Sequence, residues 1–126
     1  MATPENMRRL EQMVERLPEA LRVDIEAWDG EPTFRVRNKN FIFTNKDATG
    51  LSVKLPKEEA AALVDEGVAE PTGYGLGRHG WVSIELGTPD ADQWQQIEEW
   101  VRTSYTMVAP KRLAKVVLDE DQVEPE

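Results

Sequence analysis

Residues 23–55 read VDIEAWDGEPTFRVRNKNFIFTNKDATGLSVKL, and the reading of this stretch decides the fold. Val23, Ile25 and Ala27 alternate with Asp24 and Glu26, the period of two that a half-buried strand requires. Asp29-Gly30 is a hairpin signal. Phe34 and Val36 then alternate with Arg35 and Arg37, which predicts a second strand with one basic face. Asn38-Lys39-Asn40 is a short turn, and the unbroken run Phe41-Ile42-Phe43 predicts a third strand covered on both faces. After a turn over 45–50, Leu51, Val53 and Leu55 alternate with Ser52 and Lys54 as a fourth strand. The connections are far shorter than the dozen or so residues a parallel crossover needs, so sequential antiparallel pairing follows.

Helices flank this block. Thr3-Pro4 opens a helix over about 4–16, because Thr caps well and Pro is tolerated at the first helical position. Met7, Leu10, Met13, Val14 and Leu17 form its apolar stripe, and Leu17-Pro18 ends it. A second helix runs from Pro56 to Glu66 with Ala60, Leu63 and Val64 inward and Gly67 as its stop. The glycine-rich loop 73–80 leads into a strand, Trp81 to Leu86. Thr88-Pro89 opens a long helix with Trp94, Ile97, Val101, Tyr105 and Val108 on its stripe, ending before Pro110. Residues 110–115 form a last helical turn, and residues 116–126 read as an acidic, disordered tail. The prediction is one domain over 1–115, of α+β class: an antiparallel sheet of about five strands with helices packed on it.

Composition narrows the chemistry. The chain has 126 residues, no cysteine and one histidine. Disulfides, thiolate metal sites and a cysteine nucleophile are excluded, and no metal or cofactor is expected. Neither a membrane span nor a secretory signal is legible, which points to the cytoplasm. The formal net charge is −9 and the pI about 4.7. Alone, that disfavours nucleic acid as a partner. The average hides segregation, however. Residues 33–57 carry Arg35, Arg37, Lys39, Lys46, Lys54 and Lys57 against Asp47 alone, and residues 102–115 carry Arg102, Lys111, Arg112 and Lys115 with no acid.

Candidate catalytic features are weak. Gly73, Gly75, Gly77 and Gly80 with Arg78 resemble a phosphate cradle, but such a loop should follow a strand and open a helix. His79 is the single near-neutral base, and no nucleophile-elbow pattern surrounds Ser52, Ser83 or Ser104. The paired acids Glu58-Glu59 and Glu98-Glu99 lie on helix surfaces, without the opposed geometry that glycosidase chemistry uses. Trp28, Trp81, Trp94 and Trp100 read as packing residues. No catalytic residue is assigned, and the expectation is a protein that is not an enzyme. The strongest lead is the basic strand face, on which Arg35, Arg37 and Lys39 align if the strand continues, with Lys54 on a neighbouring strand and Lys111, Arg112 and Lys115 extending the patch.

One further signal is the order of short motifs: Leu17-Pro18-Glu19, Phe34-Arg35-Val36, Lys39 with Phe41, Leu51-Ser52-Val53-Lys54-Leu55, Gly77-Arg78-His79-Gly80-Trp81-Val82, Ser104-Tyr105 and Val108-Ala109-Pro110-Lys111. Over roughly residues 5–115 this order resembles the MmcQ/YjbR family. The resemblance implies a compact α+β domain similar to secretion-chaperone-like folds, in small cytoplasmic bacterial proteins. It also implies DNA binding through a winged arrangement of strands. On this chain the residues that would face the polyanion are Arg35, Arg37, Lys39, Lys54, Arg78 and Lys111, with Pro18, Ser104 and Tyr105 serving packing and capping. The competing expectation is a protein-interaction or small-ligand module without nucleic-acid affinity.

Overall fold

The computed structural model describes residues 4–26, 30–73 and 75–122. In chain order the elements are α1 (Glu5–Glu15), β1 (Ala20–Ile25), β2 (Glu31–Val36), β3 (Lys39–Thr44), β4 (Gly50–Lys54), α2 (Lys57–Asp65), β5 (Glu70–Pro71), a 3-10 turn (Leu76–His79), β6 (Trp81–Glu85), α3 (Ala91–Val108) and α4 (Lys111–Gln122). The six strands form one sheet in the order β1-β2-β3-β4-β6-β5, and every pair is antiparallel. This is the α+β architecture that the alternation predicts. The sixth strand is the two-residue β5, too short to carry any periodicity.

Register sorts the side chains into two faces. Phe34 stands opposite Ile42, Ile42 opposite Val53, and Val53 opposite Val82. All four are buried, and α3 lies across β3 and β4 on this side. The next row, Thr33, Phe43, Ser52 and Ser83, belongs to the outer face. The continuous run in β3 has a specific cause. Arg35 faces Asn40 while Phe34 faces Ile42, so Phe41 is an extra residue that interrupts the alternation. Phe41 and Ile42 are both fully buried, and Phe41 meets the Tyr105 ring edge-on at 5.4 Å. Phe43 instead reaches the outer face, 5.1 Å from the Trp81 ring.

Three local expectations are corrected. The β2–β3 turn is Arg37-Asn38, both left-handed (φ 50° and 67°), not Asn38-Lys39-Asn40. A type I′ two-residue hairpin has positive φ at both central positions, which matches the strand twist. The long helix is capped by Asp90 rather than Thr88: the Asp90 carboxylate accepts the Gln93 N–H, and the Gln93 side chain accepts the Asp90 N–H. The chain after residue 115 is not a disordered tail from its start. α4 continues through Gln122, because Leu113, Ala114 and Val117 are buried where it packs against α3. β1 also begins at Ala20, earlier than expected; Thr3, Ala27, Trp28 and Asp29 lie outside the described residues, as do 123–126. Among the described residues, no helix is long and apolar enough to cross a membrane.

Candidate nucleic-acid interface

Strand direction gathers basic residues at one end of the sheet. The β2–β3 turn carries Arg37, and β3 begins at Lys39. Because β3 and β4 are antiparallel, β4 ends beside that turn, at Lys54. Lys54 in turn faces Trp81, the first residue of β6, and Arg78 lies in the 3-10 turn just before it. Lys57, at the start of α2, follows Lys54 after one short connection. The opposite end of the sheet carries Glu26, Glu31, Asp47 and Glu85, with Lys46. A chain of net charge −9 therefore has one basic end and one acidic end.

The helical layer brings the second basic stretch to the same end. The Tyr105 hydroxyl donates to the Pro18 carbonyl (2.6 Å), tying the last turns of α3 to the loop before β1. Glu19, in that loop, binds Arg37 through two hydrogen bonds, Nε to Oε1 at 2.5 Å and Nη2 to Oε2 at 2.9 Å. These bonds, and the charges of Arg37 and of Arg112 from α4, hold the Glu19 carboxyl below the usual carboxylate value. The same bonds raise Arg37. Burial pushes the Tyr105 hydroxyl above its usual value, and the Glu19 charge acts in the same direction.

Position by position, Lys39, Arg78 and Lys111 are exposed, and Lys54 is half-buried. Arg37 is exposed but already engaged by Glu19. Arg35 is set apart from Arg37 and Lys39, because β2 ends at Val36 and the turn breaks the face that would have aligned the three; the register puts it on the outer face, as it does Lys54. The Arg35 side chain lies on that face opposite Asn40, and its Nε is buried without a hydrogen-bond partner among the described residues. Glu19 and Lys57 belong to this end and were not among the expected site residues, whereas Arg112 was expected to extend the patch. For Glu19 no local signal exists, since its partner Arg37 is 18 positions away.

The glycine loop has structural reasons for its composition. A Cβ at Gly80 would stand 2.2 Å from the Leu55 carbonyl oxygen, and one at Gly77 would stand 2.9 Å from the Pro71 side chain. The Gly80 carbonyl also accepts the Leu55 N–H. His79, the single near-neutral base, is exposed. Ser104 is fully buried; its hydroxyl donates to the Phe41 carbonyl (2.6 Å) and accepts the Lys54 N–H (2.8 Å). Ser52 and Ser83 share a hydrogen bond (2.8 Å), and Thr72 joins Ser83 at 3.0 Å. Ser52 and Ser83 line part of a cleft of about 710 Å³ on the outer side, with Phe43, Glu70 and Glu85.

A family model, YjbR, matches residues 16–107 of this chain. The chain belongs to the YjbR family. No curated protein matches it. In this YjbR chain the matched region starts just after α1 and runs through all but the last residue of α3, so it includes the whole sheet and the basic end except for α4.

Proposed function

We propose that this YjbR domain is a cytoplasmic binding module rather than an enzyme, and that its basic end holds the DNA backbone. The observation that carries the reading is the strand register, which gathers Lys39, Lys54 and Arg78 at the end where α4 begins with Lys111. β3 and β6 are separated only by β4, so the strand backbones that carry these residues lie roughly 10 Å apart, two strand spacings. Phosphate contact needs charge and reach rather than a base-reading helix, and such binding is sequence-independent. The acidic end faces away and limits long-range attraction, so the binding is weak and local.

Fluorescence anisotropy of a labelled duplex titrated with the protein tests this. Four phosphate contacts predict a log–log salt slope of about −3.6. Lys39→Glu and Lys54→Glu together abolish binding. Affinity that survives the double reversal, or no binding at low salt, overturns the proposal. The cleft beside Ser52 and Ser83 favours a second reading, a small-ligand or protein module. Under that reading, a Ser83→Val variant loses a co-purifying ligand and duplex titrations stay flat.

A further inference from the structure

β1 is an edge strand: β2 pairs with one side of it, and no strand among the described residues pairs with the other. Such an edge usually carries features that block further pairing. Here Leu21 is 54% exposed, and Val23 and Ile25 on the same face are only half-buried. The other face carries Arg22 and Asp24, whose side chains pair at 2.8 Å, with Arg22 also reaching Glu11 on α1 at 2.6 Å.

The sequence Leu21-Arg22-Val23-Asp24-Ile25 is complementary to itself when reversed. Set antiparallel against a second copy with the two-fold axis at Val23, it places Leu21 opposite Ile25, Val23 opposite Val23, and Arg22 opposite Asp24, twice over. All apolar side chains then meet on one face and opposite charges meet on the other. Other registers fail. A shift of one residue sets Leu21 against Asp24, and a shift of two sets Arg22 against Arg22 or Asp24 against Asp24. A two-fold axis demands this kind of self-complementarity, and like charges in direct opposition reject the wrong alignments. We infer that β1 is a homodimer interface, joining the sheets of two copies edge to edge about Val23.

The charge pattern supplies a decisive test by sedimentation of the full chain at tens of micromolar. The wild type sediments at twice the 14.3 kDa of one chain. Arg22→Asp sets Asp against Asp in both symmetry-related pairs, and Asp24→Arg sets Arg against Arg. Each variant alone is monomeric, its dimer weakened by about tenfold or more. Mixed in equal amounts, the two variants restore both opposite-charge pairs and form a heterodimer. Net attraction between the chains does not explain that result, because −9 − 2 gives −11 and −9 + 2 gives −7, both negative. Leu21→Glu, at an exposed position that tolerates replacement, is also monomeric, and circular dichroism confirms that each variant is folded. A monomeric wild type, a dimer indifferent to Arg22→Asp, or a mixture of folded variants that stays monomeric overturns the inference.

Discussion

Ser104 shows how one residue joins the layers of this domain. Its hydroxyl is fully buried and satisfies the Lys54 N–H of β4 and the Phe41 carbonyl of β3 from a position on α3. Buried polar groups left without a partner are costly, and here one hydroxyl serves two. Ser104→Ala therefore lowers stability by about 2 kcal/mol, read as a lower denaturation midpoint with an unchanged slope. Tyr105 beside it works in a similar way, with its ring against Phe41 and its hydroxyl donating to Pro18. The Ser-Tyr pair was recognisable in the sequence, and its assignment to packing agrees with this geometry. The partners were not legible, because they lie 50 to 87 positions away.

Among the elements, α4 departs most from its sequence pattern. Its amphipathic stripe is short and its last turns are acidic, so composition argues for a tail. Packing wins because Val117 is fully buried against the rest of the fold, one turn beyond Leu113 and Ala114. Truncation after Lys115 removes that side chain and costs about 2 kcal/mol in a thermal or denaturant melt. A tail disordered from residue 116 would give no change. The strands, by contrast, were legible from alternation at Phe34 and Val36 and at Leu51 and Val53, since each sheet face has its own polarity. The bulge at Phe41 was not, nor was the left-handed Arg37-Asn38 turn, since neither residue is glycine. That turn decides the candidate site. It separates Arg35 from Arg37 and Lys39, residues that a period of two would align.

For the molecule as a whole, charge is organised by strand direction, which composition averages away. The basic runs were visible in the sequence, but their convergence depends on register and on the Tyr105–Pro18 tie. Glu19 tempers the basic end by holding Arg37, and its negative charge offsets part of the field of Arg37 and Arg112. If that end holds DNA, Glu19→Gln removes a negative charge beside Arg37 and tightens duplex binding, by about threefold or more in anisotropy titrations. The pH dependence has a definite sign. The Glu19 carboxyl is lowered in the folded state, so its pairing stabilises the fold above the unfolded carboxylate value and is lost as pH falls through the folded one. Duplex affinity therefore rises as pH falls through that lowered value, and Glu19→Gln flattens the rise. The Ser104 bridge has a consequence at this same scale. The Lys54 amide proton is held by the Ser104 hydroxyl of α3, so lifting α3 from the sheet opens it to solvent deuterium. Its exchange rate is a one-atom clock for separation of the two layers, and it can be read without any engineered probe.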